Sequence, residues 1–322
     1  MRGHSAAFLS DVETRPDSPE AGVAHRTAGM THWFAGEYRE GREHLERALA
    51  WFQPGRDDDL MFRFGIDAGV AAMLYLALAS WPLGDVQCAG SLVRGAEERI
   101  ASIAHIATRA YGKMRAALFE FMRGDLTRAA ARAVELARLA REHDLSMLRA
   151  WGVFLEGVAT AEGGGLGEGL KDMRRGVELL REQKVLLFDG LIKIALAQTE
   201  ARAGDVDRAV AILDEALATS ERTGHRAFEA ELHRVRGEIL LKRDSASTAP
   251  AERAFQTALA VAKEQGARSF ELRAALALAK IYQSTARPTD AHAVLAPALE
   301  GFSPTPEMPE IAEAMSLSAR LA

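Results

Sequence analysis

Several groups of residues in this chain have types and spacings that could support chemistry. The most conspicuous is a glycine-rich run from Gly163 to Gly169, because such runs can cradle phosphate groups. A phosphate-binding loop requires a strand before it and a helix after it. This run lies between two predicted helices, at a position where a helix-to-helix turn recurs. We therefore interpret it as a turn.

Two histidines and a carboxylate are the next candidates, because imidazole and carboxylate groups are ligands for zinc. His225, Glu229 and His233 follow one another at intervals of four residues, which would place them near one face of a continuous helix. The set spreads over two turns and lacks the H-E-x-x-H pattern of zinc hydrolases. We expect neither a metal site nor a cofactor.

Cys88 is the only cysteine, so it cannot form a disulfide within the chain, and we expect a small buried thiol. Residues 105–149 hold nine basic and five acidic side chains, with Arg128, Arg132, Arg138 and Arg141 on one predicted helix. They could form a patch for an anionic partner or a solvated outer face. The interleaved acidic residues favour the solvated face.

None of these groups forms a convergent set of acid, base and nucleophile, so we expect a chain that is not an enzyme. The net charge of −5, from 40 basic and 45 acidic residues, argues against nucleic acid and anionic membrane as partners. The longest uncharged run has 17 residues, whereas a membrane span needs about 20 apolar ones. We predict a cytoplasmic protein.

The elements that would position these residues follow from a repeat. Glycine, followed by an acidic residue or a second glycine, recurs along the chain, and from Gly84 to Gly204 the spacing is 40 residues each time. Glycine suits the left-handed residue that ends a helix. The pattern predicts helical hairpins, each with a helix A before the glycine and a helix B after it, and with turns at Gly36, Gly84, Gly124, Gly164 and Gly204.

Small residues recur in the same register. A glycine or alanine stands five positions after each turn glycine, and another stands twelve residues before that slot, on helix A. Small side chains on both helices let the backbones approach closely, which is the core signature of the tetratricopeptide hairpin. The paired slots are Gly29 and Gly41, Ala77 and Ala89, Ala117 and Ala129, Gly157 and Gly169, and Ala197 and Ala209.

These patterns predict an all-α fold, a right-handed α-solenoid of about seven tetratricopeptide-like hairpins with a period near 40, followed by a C-terminal helix from about Pro306 to Leu321. The hairpins are predicted at 19–53, 66–104, 105–143, 144–184, 185–224, 225–266 and 267–301, with a surface loop at 54–65. We expect residues 1–17 to be disordered or the remnant of an earlier helix, and residues 18–322 to form a single domain.

Four stretches resemble a known family: GEYREGREHLERALAWFQP (36–54), FEAELHRVRGEILL (228–241), GARSFELRAALALAKIY (266–282) and DAHAVLAPALEGF (290–302). They are similar to the C-terminal helical-repeat region of bacterial signalling proteins that carry an adenylate or guanylate cyclase, or a transcription-regulator domain, ahead of an AAA/STAND-type ATPase. The chain contains no G-x-x-x-x-G-K-[ST] loop and no cyclase-like segment. The resemblance therefore implies a sensor or scaffold, without the activity of the other half.

One stripe of the A helices faces the inner surface in tetratricopeptide geometry, and it is either a binding groove or additional core. It is apolar and aromatic in the early hairpins and charged in the later ones, where it includes Glu238, Lys242, Arg273 and Lys280. Aromatic and methionine side chains are typical interface anchors. The predicted groove residues are Tyr75, Leu78, Tyr111, Leu118, Met122, Trp151, Leu155, Gln198 and Arg202.

The first A helix carries Met30, Trp33 and Phe34, and we expect them to meet solvent because residues 1–17 are too polar to cover them. An uncovered apolar patch marks a contact site. It would engage a second copy of the chain, a partner or an upstream domain.

The function that these features predict is a non-catalytic interaction or regulatory scaffold that binds a peptide or helix in its concave groove. The alternative is a small-molecule effector-sensing domain of a signalling ATPase or cyclase system.

Overall fold

A computed structural model describes residues 2–13, 18–185, 187–244 and 246–321. In these ranges the regular secondary structure is entirely helical. The helices are α1 (Arg2–Glu13), α2 (Pro19–Phe34), α3 (Tyr38–Trp51), α4 (Leu60–Phe64), α5 (Ala68–Ser80), α6 (Val86–Ser102), α7 (Ile106–Arg123), α8 (Leu126–Glu142), α9 (Ser146–Glu162), α10 (Leu166–Glu182), α11 (Asp189–Arg202), α12 (Val206–Thr223), α13 (Glu229–Arg243), α14 (Ala249–Glu264), α15 (Arg268–Ser284), α16 (Pro288–Leu299) and α17 (Glu310–Leu321).

The predicted hairpins are confirmed. Seven helix pairs, from α2–α3 to α15–α16, occupy the seven predicted ranges. The five turn glycines have backbone φ angles between 80° and 99°, the left-handed region in which glycine meets no steric penalty. The all-α, tetratricopeptide-like solenoid class therefore follows from turns that the residue spacing identifies.

The small residues lie where the two helices of a hairpin approach most closely. A Cβ added at Gly157 would stand 2.6 Å from the backbone nitrogen of Met173, and one added at Gly169 would collide with the Gly157 carbonyl. Ala77, Ala117 and Ala197 are completely buried. Because protein interiors are close-packed, a larger side chain in these slots would force the helices apart.

The ends and the long loop differ in part from the expectations. Residues 2–13 form α1, which agrees with the helix alternative for the N-terminal segment and not with disorder. Phe8, Leu9 and Val12 of α1 pack against α2 and Trp51, so the segment is not too polar to pack on the first hairpin. The 54–65 connection contains α4, with Leu60 and Met61 buried. The last helix begins at Glu310 instead of Pro306, because Pro309 disfavours helical geometry at Met308.

The chain divides into two compact units. Unit 1 comprises Met1–Ser80 and Cys88–Leu187, and unit 2 comprises Trp81–Gln87 and Phe188–Ala322. Within unit 2, Ser269 Oγ donates a hydrogen bond to the Trp81 carbonyl at 2.6 Å, and the Ser269 backbone N–H donates to the Pro82 carbonyl at 2.9 Å. The single domain over 18–322 stays a prediction. Among the described residues, none of the helices has the length and apolarity needed to cross a membrane.

Candidate functional site

A cleft of about 480 Å³ opens in unit 2 between α13, α14, α15 and α17. Its floor is apolar, and its walls carry cationic and anionic side chains in equal number. Phe255, Leu276 and Ile281 are buried on the floor, while Leu241 and Ala277 are half-buried. The charged lining residues are Arg234, Glu238, Arg273, Lys280, Glu310 and Glu313.

A network of ion pairs sets the positions of the wall side chains. Buried Glu231, behind the cleft, contacts Arg234 at 2.8 Å and Arg273 at 3.2 Å. Arg234 also contacts Glu238 at 2.5 Å, and Arg273 contacts Glu310 at 2.8 Å. Because both arginines have two carboxylate partners, neither can turn away without leaving a charge uncompensated.

The electrostatics of the network favour the charged forms of Glu231 and Arg234. Burial acts to raise the pKa of Glu231, but the positive charges of Arg234 and Arg273 outweigh it, so this pKa lies below its usual value. Burial acts to lower the pKa of Arg234, and the carboxylates of Glu231 and Glu238 more than reverse that effect. The cleft thus presents fixed charges of both signs beside an apolar floor.

Arg273 is additionally fixed by an aromatic contact. Its guanidinium Cζ lies 4.6 Å from the ring centroid of Trp81, within the range of a cation–π interaction. The Lys280–Glu313 pair at the rim is different, since both side chains are 52% exposed at an N–O distance of 2.7 Å. An exposed pair of this kind can exchange its partners for a ligand at little cost.

The predicted charged stripe reaches this cleft, whereas most of the predicted apolar groove does not. Glu238, Arg273 and Lys280 line the cleft, and Lys242 is exposed outside it. In unit 1, six of the predicted groove residues are buried by neighbouring helices and form core, which contradicts their placement on a ligand floor: Tyr75, Leu78, Leu118, Met122, Trp151 and Leu155. Tyr111 and Gln198 are half-buried and Arg202 is exposed, so these three remain predictions.

The expected N-terminal contact patch is also corrected. Trp33 is completely buried and Phe34 is 3% exposed, because both pack against Tyr75 on α5. The Trp33 Nε1–H donates a 2.8 Å hydrogen bond to the Leu78 carbonyl, which uses the one polar group of the indole. Met30 is half-buried, and it alone keeps part of the expected exposure.

The residues that the sequence suggested for phosphate, metal or thiol chemistry lie in turns and helices, and they do not form a reactive site within the described part of the chain. The glycine-rich run forms the α9–α10 turn and the start of α10, as predicted. His225 precedes α13 instead of lying on it, so the expected shared helix face does not exist, and no three potential ligands in the described ranges are grouped for a metal ion. Cys88 is partly exposed instead of buried.

The arginines of α8 face carboxylates on their own or adjacent helices. Arg132 contacts Glu120 at 2.8 Å, and Arg138 contacts Glu142 at 2.7 Å. Arg128 lies 3.4 Å from Asp125, and Arg141 lies 2.7 Å from Glu156. The exposed positions of Arg128, Arg138 and Arg141 fit the solvated-face interpretation, whereas Arg132 is only 17% exposed and pairs with buried Glu120.

Sequence reasoning missed the part of the cleft that α17 and α14 supply. Glu310 and Glu313 lie on the predicted C-terminal helix, and neither they nor Phe255 were assigned to a site. The sequence signal for them is weak, because Glu310 follows Arg273 by 37 residues and its position depends on the irregular 300–309 segment. The charged slots of α13 and α15 were the only usable sequence signal for this site.

Comparisons with known proteins show what this chain is similar to. No protein-family model matches the chain. An uncharacterized protein of Rhizobium meliloti (strain 1021) is 28% identical over 240 residues, which cover 74% of this chain and 23% of that protein. The chain therefore spans about a quarter of that relative's length.

Solved structures with the same class of fold share little sequence with the chain. The human IFIT1 dimer with m7Gppp-AAAA has a TM-score of 0.54 at 15% identity, covering 98% of this chain and 66% of that one. A Rap protein complexed with Competence and Sporulation Factor has a TM-score of 0.51 at 13% identity, covering 94% and 97%. Aspartyl phosphate phosphatase F from Bacillus subtilis has a TM-score of 0.50 at 13% identity, covering 90% and 73%. The chain is a tetratricopeptide-like repeat protein in fold.

Proposed function

We propose that this chain is a non-catalytic binding and regulatory module, and that the cleft of unit 2 binds a peptide or helix of a partner protein. The observation that carries the proposal is the composition of the cleft, with an apolar floor between ion-paired walls of both signs. A peptide offers apolar side chains for such a floor. Its amide groups also supply both donors and acceptors for charged walls.

The fixed geometry of the walls supports recognition rather than catalysis. Arg234 and Arg273 are held by carboxylates, so their guanidinium groups can pair with a carboxylate or a peptide carbonyl. Glu238 and Glu313 are about half exposed and can accept from peptide N–H groups or basic side chains.

Ligand binding by proteins of similar fold supports this proposal. The Rap protein of similar fold was solved with Competence and Sporulation Factor, and the IFIT1 dimer with m7Gppp-AAAA, so helical-repeat proteins of this class carry either kind of ligand. The net charge of −5 and the paired arginines of α8 favour a peptide over a nucleic acid here. A cytoplasmic location away from membranes belongs to the same proposal.

A small-molecule effector is the second candidate, and the volume of the cleft favours it specifically. About 480 Å³ lies inside the range of 300–1,000 Å³ typical of small-molecule pockets. The effector would be amphipathic, with an apolar body and polar ends.

We also propose that the chain is the repeat region of a larger signalling protein of the cyclase or transcription-regulator and ATPase type. The length of the Rhizobium relative supports this assignment, since the matched region is only 23% of that protein.

The test fills the cleft and measures binding. Peptides selected from a random library on the wild-type chain are titrated against Ala277→Trp, which places an indole over the floor at a half-buried position. The control is Ala260→Trp on α14, an exposed position that does not line the cleft. We expect at least roughly tenfold weaker binding to Ala277→Trp only, since losing a buried anchor site costs more than about 1.4 kcal/mol.

The outcome separates the candidates. Equal affinity for both variants would exclude the cleft as the peptide site. If no peptide is selected, but native mass spectrometry finds a metabolite bound to the wild type and to Ala260→Trp and absent from Ala277→Trp, the effector-sensing function replaces the peptide.

A further inference from the structure

The charges around the cleft of unit 2 do not balance when the residue that joins its walls is included. Three of the lining side chains are cationic and three are anionic. Glu231 does not line the cleft, but it pairs with both wall arginines, Arg234 and Arg273, and it adds a fourth carboxylate. The site therefore carries one negative charge that its own cations do not compensate.

The accessible charges of the cleft are mainly carboxylates. Glu238 is 41% exposed and Glu313 is 52% exposed. The wall arginines are only 13% and 6% exposed, and each of them already faces two carboxylates. Lys280 is the exposed cation of the lining, and it pairs with Glu313. A ligand in the cleft therefore meets carboxylate oxygens more readily than unpaired cations.

One carboxylate oxygen of the cleft lining has no donor. Glu310 Oε1 accepts a hydrogen bond from Arg273 Nε at 2.8 Å, whereas the Oε2 atom is buried and has no hydrogen-bond partner within the described part of the chain. A buried carboxylate oxygen without a donor is costly, and ammonium and guanidinium groups are the donors that stabilise it most. Glu313 follows Glu310 by three residues on α17, so the two carboxylates are neighbours on the helix surface.

We propose that the cleft recognises a basic side chain, lysine or arginine, of the peptide that it binds. This inference rests on the proposed function and adds the charge of the ligand to it. The aliphatic part of the side chain packs on the apolar floor, and its cationic end lies at the carboxylates of Glu310 and Glu313. A neutral amide could donate to Glu310, but it would leave the excess negative charge of the site uncompensated.

The rim pair does not prevent the approach of a second cation. Lys280 and Glu313 are both half exposed, and such pairs contribute little to stability. Lys280 can therefore turn into solvent, where salt screens its charge, while the incoming cation takes its place beside Glu313. The exchange leaves the number of ion pairs at the rim unchanged.

The experiment uses the peptides selected on the wild-type chain and measures how much a basic residue contributes to their affinity. Each lysine or arginine of a selected peptide is replaced in turn by glutamine. Isothermal titration calorimetry then measures binding to the wild type, to Glu313→Gln and to Glu264→Gln. The matched control is Glu264→Gln, because Glu264 forms an exposed pair with Arg226 in the same unit and does not line the cleft.

We expect that replacing one basic residue of the peptide weakens binding to the wild type and to Glu264→Gln at least about tenfold, as for the loss of a charge-assisted hydrogen bond. Glu313→Gln should bind the unchanged peptide roughly two- to fivefold more weakly, as for the loss of an exposed ion pair. The peptide substitution should also cost less affinity in Glu313→Gln than in the wild type, because the two charges contact each other.

Two results would overturn the inference. One is a set of selected peptides that has no basic residue, or whose basic residues can be replaced with less than about a twofold loss of affinity. The other is an equal loss in the wild type and in Glu313→Gln, which places the basic residue away from the carboxylates of α17.

The substitution Ala277→Trp keeps this inference and the proposed function distinguishable. Peptides without a basic residue that still bind Ala277→Trp weakly leave the cleft as the peptide site and remove only its preference for a cation. Peptides that bind Ala277→Trp as tightly as the wild type, or the failure to select any peptide, remove the peptide-binding function and this inference with it.

Discussion

At the scale of the residue, the packing of each hairpin depends on how closely the backbones of its two helices can approach. Gly157 and Gly169 face each other across the α9–α10 hairpin, and each would place an added methyl group within the van der Waals radius of the other helix. Gly167, two positions from Gly169 on the same helix, has open space around it. The same residue type therefore has opposite consequences at the two positions.

This contrast predicts opposite effects of the same substitution. Gly169→Ala should lower the free energy of unfolding by about 1–3 kcal/mol, because the methyl group overpacks the hairpin. Gly167→Ala should raise it by roughly 0.5–1 kcal/mol through the better helix propensity of alanine. Urea unfolding of the two variants measures both values. Equal stability of the two variants would mean that α9 and α10 are not in contact at these glycines.

A group of histidines on α2 and α3 gives unit 1 a pH dependence. His25 Nδ1 lies 3.0 Å from His44 Nδ1, and the His32 ring stacks on that of His44 with centroids 5.4 Å apart. Burial, followed by the charges of His25, His32 and Arg47, lowers the pKa of His44 from 6.5 to about 4. Burial and Arg47 lower the pKa of His25 as well.

The direction in which pH changes the stability of the folded chain follows from the difference in proton binding between the folded and unfolded states. Between pH 6.5 and about 4 the unfolded chain binds a proton at His44 that the folded chain does not, so stability is complete above pH 6.5 and falls as the pH drops toward 4. His44→Gln should lose less of its free energy of unfolding than the wild type when urea titrations at about pH 7.5 and about pH 5 are compared. An equal loss in both proteins would assign the pH dependence to other groups.

At the scale of the element, α17 completes the cleft of unit 2. Its Ile311, Ala314 and Leu317 are buried, and the first turn directs Glu310 and Glu313 toward α15. The two carboxylates differ in their surroundings. Glu310 pairs with Arg273, whose side chain is 6% exposed, whereas Glu313 pairs with a lysine in solvent.

The difference predicts unequal effects of removing the two charges. Glu310→Gln should lower the free energy of unfolding by about 1–3 kcal/mol, since it leaves buried Arg273 with one carboxylate fewer. Glu313→Gln should change it by less than about 1 kcal/mol, as is usual for exposed pairs. Hydrogen exchange of residues 310–321 should accelerate in Glu310→Gln alone. Similar exchange in both variants would show that apolar packing, and not the ion pair, holds α17.

At the scale of the whole molecule, the chain divides into two compact units, and the amphipathic cleft with fixed charges of both signs belongs to unit 2. The 28% identical Rhizobium relative is matched over only 23% of its length.

The repeat and its hairpins were determined by the sequence alone, because they depend on local rules. A turn requires a left-handed residue, and close helix pairs require small side chains, so Gly36, Gly124 and Ala117 reveal their roles by type and spacing. The charged stripe of α13 and α15 was likewise predicted from the types and spacing of Glu238, Arg273 and Lys280, which line the cleft.

Only the tertiary structure decided which face of each helix is covered. Trp33, Tyr75 and Trp151 have the side chains of interface anchors, but neighbouring helices bury them, and periodicity cannot distinguish a groove from a broad core. Short polar α1 packs on α2 through a few apolar contacts that its composition did not reveal. The cleft depends on the position of α17, which long-range packing and the Arg273–Glu310 pair determine, and no local rule acts over that distance.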